Sequence, residues 1–363
     1  MSRPVPVPGS PLKLTTTNQF QEREEILSFD GPPNQLETDH TYKKQSKEMK
    51  LRKVFLPVIA LMALPLGAIP ARADQKVKIG VTMASFGHTF HISMMDGMKK
   101  WAEAHPDVEL SMVDARDDSA KQTGQVENFL AQGMDAIIVQ PVGASATGSM
   151  SKMAIKAGKP LVYINRKPEK LPQGVLYCGS NSIDSGIMNM EELGKCMGGK
   201  GNVVILLGEL SNEATQARTD GIKKVIKEKF PDIKVTREQT ADWTREKAKS
   251  VMENWLASGQ EIDGVASNND EMALGALQAI KAAGKLGKIC VGGVDATHDA
   301  LESMDKGELN NTVFQDGAGQ GAEAVNAAYL AVKKGSNPKV VDGSILIPYQ
   351  PVTKENYKSF MKS

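Results

Sequence analysis

The sequence predicts an α/β fold of two lobes, each a doubly wound parallel sheet. From Lys76 onward, short β-rich runs alternate with helix-length periodic segments almost without interruption. That pattern belongs to parallel sheets covered by helices on both faces. Ten or eleven strands over the roughly 290 residues after Ala73 fit two sheets better than one. Strand twist and right-handed crossovers then wind each sheet in both directions.

The elements follow in order. VKIGVT at 77–82 leads into a helix reaching about Lys100, and VELSMVDA at 108–115 precedes a helix over 119–132. Between them DARDDSAK at 114–121 lacks the spaced oxygens and glycine of a calcium loop, so it is a strand end followed by a helix cap. AIIVQP at 136–141 leads to a helix near 145–157, and PLVYIN at 160–165 ends the first series. VLYCGS (175–180), NVVILLG (202–208), IKVTREQTA (233–241), DGVASN (263–268) and KICVGGV (288–294) continue it, each with a helical stretch behind it. NNTVFQ (310–315) and SILIPY (344–349) are the last strands.

Ahead of the first strand, residues 49–73 read MKLRKVFLPVIALMALPLGAIPARA. The apolar run from Val54 to Ile69 is 16 residues long and is interrupted by Pro57 and Pro65, short of the ~20 residues a membrane span needs. Lys50, Arg52 and Lys53 before it, with Ala71 and Ala73 after it, complete a secretory signal with cleavage expected after Ala73. No cysteine follows the apolar run, so a lipid anchor is not indicated. Residues 1–48 are polar, rich in Pro and Thr, and have the composition of a disordered tail or an upstream segment ahead of a start at Met49.

Charge narrows the function classes. The whole chain has 44 Lys and Arg against 43 Asp and Glu, and the part after Ala73 has 34 against 36. No basic face for nucleic acid follows from that balance. Cys178, Cys196 and Cys290 are an odd set without metal-type spacing. Cys178 and Cys290 sit in apolar strand-like runs and read as small buried hydrophobes, and a Cys178–Cys196 bridge is not expected.

In doubly wound sheets, ligands bind beyond the carboxyl ends of the strands. The first strand is followed by His88, Phe90 and His91, the fourth by Asn165 and Arg166, and the sixth by Arg218. The seventh is followed by Trp243, and the eighth runs into Asn268, Asn269 and Asp270. Asp295 follows the ninth, and Gln315 ends the tenth. Carboxylates and carboxamides accept from hydroxyls, guanidinium groups and amides donate to them, and Phe90 and Trp243 can cover the two C–H faces of a ring. A polyhydroxylated small molecule suits that set. Each side chain also has a structural role open to it. Arg218 could pair on a helix face, Trp243 could pack within a lobe, and one tandem asparagine should cap a helix while the other faces the ligand. The two histidines have no third metal ligand nearby in sequence, so no metal is expected.

SNNDEMALGALQAIKAAG, GGVDAT, YINRK and QARTDG together resemble the ribose-type family of periplasmic sugar-binding proteins that serve ABC importers. The resemblance runs in order over residues 76–350. It implies the type I periplasmic binding protein fold, with the ligand between two lobes joined by three crossover segments. On that basis lobe 1 is 74–178 plus 316–343 and lobe 2 is 179–315 plus 344–363, with crossovers near Gly179, Gln315-Asp316 and Gly343. Phe90, Asn165, Arg166, Arg218, Trp243, Asn269, Asp295 and Gln315 match the family's ligand contacts. Asn165 stands where many members have aspartate, and His88 and His91 stand where ribose binders have asparagine and a second phenylalanine. GELSNEATQARTDG, NRKPE and VFQDGAGQG are closest in appearance to the inositol- and rhizopine-binding branch, which favours a cyclitol such as myo-inositol over a pentose. The resemblance further implies a periplasmic monomer that partners an ABC permease in the inner membrane.

No enzyme signature competes. The first strand lacks the G-x-G-x-x-G of dinucleotide sites, and neither a Walker loop nor G-x-S-x-G occurs. Catalytic residues and cofactors are therefore not expected. A transcription regulator sharing the fold would need a helix-turn-helix ahead of the first strand, where this chain has an export signal instead.

Overall fold

The computed structural model describes residues 76–361. The upstream segment 1–48 and the signal peptide 49–73 lie outside the described residues.

Strands and helices alternate through most of the described residues, as the sequence pattern requires. Lobe 1 is built on β1 (Val77–Met83), β2 (Val108–Asp114), β3 (Ala136–Val139), β4 (Leu161–Ile164) and β5 (Val175–Gly179). Helices α1 (Thr89–Glu103), α2 (Ser119–Ala131) and α3 (Thr147–Lys156) connect the first four strands. Lobe 2 begins with α4 (Ser182–Cys196) and continues through β6 (Lys200–Leu207), α5 (Glu213–Lys229), β7 (Asp232–Thr240), α6 (Arg245–Ala257), β8 (Gly264–Ser267), α7 (Asp270–Ala282), β9 (Cys290–Gly292), α8 (His298–Asp305) and β10 (Thr312–Phe314). The chain then forms α9 (Gly317–Val332), β11 (Ser344–Leu346), β12 (Gln350–Val352) and the short α10 (Tyr357–Phe360).

Both sheets are buried on two faces, and the period of two along each strand explains how. On β3, Ala136 and Ile138 pack with α1 and α9 residues such as Met94 and Ala324, while Ile137 and Val139 pack with Phe129 of α2 and Met150 of α3. On β6, Val204 and Leu206 face Trp255 and Met272, while Val203 and Ile205 face Leu193 and Ile222. The lobe 1 sheet has the order β11-β5-β4-β3-β1-β2 and is parallel throughout. The lobe 2 sheet runs β7-β6-β8-β9, and parallel bridges from Gly292 to Asn311 and from Asp295 to Phe314 bring β10 alongside β9.

Three findings correct the sequence reading. SILIPY is not one strand of lobe 2. Ser344–Leu346 pairs with β5 and completes the lobe 1 sheet, whereas Gln350–Val352 pairs antiparallel with β10. The third passage between lobes is therefore at residues 347–349, and Gly343, with φ 74°, shapes the turn into β11 instead of a crossover. Cys290 is not a lone buried hydrophobe. It forms a disulfide with Cys196, because α4 lies across β9 and brings two cysteines 94 residues apart to a Cα separation of 6.2 Å. Cys178 is free and fully buried, and burial pushes its thiol pKa well up. Finally, capping and cavity-facing duties are not divided between the tandem asparagines. Asn269 does both, while Asn268 is wholly buried against Gly208 and Thr219.

Other caps follow expectation. Asp118 accepts from Ala120 and Lys121 at 2.8 and 3.0 Å, so DARDDSAK is indeed a strand end and a helix start. Among the described residues no helix is long and apolar enough to cross a membrane.

Candidate functional site: the cleft between the lobes

Ten of the twelve residues picked from strand ends line one cavity, together with Ser182, Asn212 and Ala214, while Asn268 and Asp270 do not. The cavity holds about 560 Å³ of empty space, its open mouth included. His88, Phe90, His91, Asn165 and Arg166 come from lobe 1. Arg218, Trp243, Asn269 and Asp295 come from lobe 2, and Gln315 lies on the second crossover.

Arg218 is the best-anchored of them. It is 5 % exposed; Nη1 donates to the Asn268 carbonyl, and Nη2 donates to Gln315 Oε1 at 2.9 Å and to Tyr349 Oη at 3.2 Å. Its guanidinium lies 5.7 Å from the Trp243 ring centroid and 3.8 Å from an Asp295 oxygen. That leaves Arg218 Nε, which is buried and finds no hydrogen-bond partner among the described residues. Trp243 Nε1 is in the same condition. Two desolvated N–H donors on residues that line the same cavity cost about 1–3 kcal/mol each until something accepts from them.

Asp295 supplies the complementary acceptor. Burial pushes its pKa up to about 7, against the Arg218 charge and with help from Glu271. Its neighbour Asp270, first residue of α7, is also raised, by burial and then by Asp295, although Thr297 and Thr312 donate to it.

His91 has no such freedom. Nδ1 is 2.7 Å from the Ser85 carbonyl, which can only accept, so Nδ1 carries the proton. Nε2 then accepts from the Gln140 amide at 2.7 Å. Burial, the Arg166 charge and the adjacent His88 ring push its pKa down to about 3, despite the Ser85 bond. His91 is thus a neutral wall whose polar atoms are both engaged. Gln140 is what holds it, and Gln140 in turn accepts from Ala84 N and is braced by Gln122. The strand-end rule reaches Gln140 as well, since it directly follows β3. Tyr349, which braces Arg218 from the third crossover, had no local signal.

Backbone strain concentrates here. Asn165, Trp243 and Asp295 have φ of 65°, 65° and 123°, and Asp242 and Ala296 beside them are also positive. Non-glycine residues adopt such angles at a cost of roughly 1–3 kcal/mol each and keep them where the surroundings over-determine them. Across the cleft, Arg166 reaches Glu209 at 3.4 Å, and the Thr89 hydroxyl donates to Glu271 at 3.3 Å. Arg166 also donates to the Val142 carbonyl at 2.7 Å. Among the described residues no group of three His, Cys, Asp or Glu side chains converges as a metal site would require.

Residues 79–336 match the family of the periplasmic binding protein domain. The chain belongs to that family. Within it the chain is of the ribose type. It is 44 % identical over 308 residues to a protein of Rhizobium meliloti named for rhizopine binding, covering 84 % of this chain and 97 % of the relative. It is 36 % identical to a xylitol-binding protein of Mycolicibacterium smegmatis, over 82 % of this chain and 83 % of the relative. A solved ABC transporter solute-binding protein from Bacillus halodurans, with bound myo-inositol, superposes with a TM-score of 0.74 at 42 % identity, covering 79 % of this chain and 98 % of the other. These relatives are binding proteins of solute transport, and the periplasmic binding protein family member described here shares their two-lobed architecture.

Proposed function

We propose that this protein is the periplasmic receptor of an ABC importer for a neutral polyhydroxylated ring, with a cyclitol such as myo-inositol as its ligand. The observation that carries the reading is that Arg218 and Trp243, each with an unpartnered buried donor (Nε and Nε1), line one cavity with the buried Asp295 carboxylate. A hydroxyl can accept from such donors while donating to such a carboxylate. The relatives named for rhizopine and holding myo-inositol support the cyclitol over a pentose. Phe90 and Trp243 serve the ring faces, and Asn165, Arg166, Asn269 and Gln315 the hydroxyl edge, with His88 and His91 shaping the lobe 1 wall.

Contacts drawn from both lobes bind better when the cleft is shut, so ligand shifts the population toward closure. The membrane permease then receives the closed form. Export is by the signal ending at Ala73, and the Cys196–Cys290 disulfide suits an oxidising compartment. The receptor acts as a monomer and without nucleic acid.

A thermal-shift panel of myo-inositol, scyllo-inositol, ribose, galactose and xylose tests the ligand class, since a bound ligand raises apparent stability by mass action. Myo- or scyllo-inositol should give the largest shift; a larger shift with ribose or galactose would replace the cyclitol by a monosaccharide. Arg218→Ala should weaken binding by at least ~100-fold while the protein still folds. Calorimetry showing unchanged affinity in that variant would remove Arg218 from the site.

A further inference from the structure

We propose that Gly208 is a positioning residue of the cleft: the space left by its absent side chain is the seat that holds the Trp243 indole in the cavity wall. Gly208 immediately follows β6. A Cβ placed on it would lie 2.1 Å from Trp243 Cζ2, 2.2 Å from Cε2 and 2.3 Å from Cη2. These atoms belong to a rigid fused ring, so no small rotation of a chain end relieves the clash. The backbone angles of Gly208 lie outside the left-handed region, so what excludes other residues is space and not conformation.

Neither partner has slack. Gly208 N donates to Asn268 Oδ1 at 3.3 Å, and its carbonyl accepts from the Thr240 hydroxyl at 2.7 Å. Trp243 is 9 % exposed, and the Arg218 guanidinium lies against its ring. The Trp243 carbonyl accepts from Asn269 Nδ2 at 3.3 Å. Its own backbone is held at φ 65° and that of Asp242 at φ 48°, angles that non-glycine residues keep only where their surroundings fix them. A side chain at position 208 therefore displaces the indole, and with it the buried Nε1–H and the face that bears on Arg218. Gly208 touches no ligand in this account. It sets where Trp243 presents its donor, and so rests on the reading of the cleft as a polyol site.

The test combines Gly208→Ala with Trp243→Ala and Trp243→Phe. Gly208→Ala should weaken myo-inositol binding at least tenfold and shift the Trp243 contribution to fluorescence, read against Trp243→Phe, in which Trp101 and Trp255 remain. Alone it should lower the thermal midpoint; in the Trp243→Ala background, where the indole is gone, it should lower it little or not at all. Equal losses of stability in both backgrounds, or unaltered Trp243 emission, would overturn the proposal. If Gly208→Ala does not fold, the double variant with Trp243→Ala should, and its failure to fold counts against the seat in the same way. Should wild-type protein bind no polyol, the functional reading fails by itself, and the fluorescence and stability arms on unliganded protein still decide the role of Gly208.

Discussion

At the scale of the residue, the cleft is a set of buried groups whose protonation and bonding are already assigned. Asp295 is the one that should make binding depend on pH. Its pKa stands near 7 in the unliganded protein, with Arg218, Asp270 and Glu271 as the charged or titratable groups around it. The unfolded chain holds this proton only below about 4, so between roughly 4 and 7 the folded protein carries more protons and loses stability as pH rises. Ligand hydroxyls donate to the ionised form, so binding below pH 7 expels a proton. Affinity for myo-inositol should fall as pH is lowered from 7.5 to 5.5, approaching ~tenfold per pH unit. Calorimetry in that range checks it, and Asp295→Asn should flatten the profile. A wild-type affinity that stays constant across the range contradicts the assignment. His91 contributes nothing to this window, because with a pKa of about 3 it stays neutral throughout. These side chains were legible in the sequence because strand ends converge in a doubly wound sheet, and a run such as PLVYIN-Arg announces its own end. What each one does was less legible. His91 looks like a ligand group until Ser85, six residues before it, and Gln140, 49 residues after it, are seen to occupy both of its nitrogens.

At the scale of the element, the first ten strands and the helices between them follow from periodicity, and the failures fall where local pattern carries no information on partners. SILIPY has the composition of one strand, yet three residues of it pair in one lobe and the next strand pairs in the other. The disulfide was invisible for the same reason, since Cys290 in KICVGG resembles any small apolar residue until α4 is laid over β9. Its removal is measurable. Closing a loop of 94 residues constrains the unfolded chain, so Cys196→Ala with Cys290→Ala should cost about 2–4 kcal/mol of stability. Denaturant titration should give a lower midpoint at an affinity for ligand close to that of the parent. Reduction that leaves the midpoint unmoved would show that the bridge does not constrain lobe 2. The helix pair behind the cleft is held by a closer contact. A Cβ on Gly186 of α4 would lie 2.0 Å from the Arg218 carbonyl of α5, and Gly97 of α1 stands in the same relation to Ala318 of α9. Backbone cannot flick aside as a side-chain end does, so Gly186→Ala should destabilise by about 1–3 kcal/mol or more. It should also weaken ligand binding, because the helix that must move is the one that carries Arg218.

At the scale of the molecule, three short passages join lobes that meet across the ligand cavity, and the contacts between the rims set how long the cleft stays shut. Arg166 at the end of β4 and Glu209 beyond β6 approach to 3.4 Å with side chains 10 % and 30 % exposed. Thr89 at the start of α1 adds a bond to Glu271 of α7. Both contacts exist only when the lobes are together, so they favour the closed form independently of what lies inside it. A partly exposed pair of this kind is worth about 0.5–1 kcal/mol, less in high salt. Glu209 does not line the main cavity, which separates its effect from that of the ligand contacts. Affinity scales with the fraction of protein able to close. Glu209→Gln should therefore weaken binding by about two- to fivefold for every ligand alike, chiefly through faster release, and should leave the order of preference among inositols and sugars unchanged. Stopped-flow release rates for the wild type and Glu209→Gln, each at low and high salt, check this. The wild-type rate should rise with salt toward that of the variant. A variant that releases ligand at the wild-type rate, or that reorders the ligand preferences, would place Glu209 outside the latch and leave closure to the ligand and the crossovers alone.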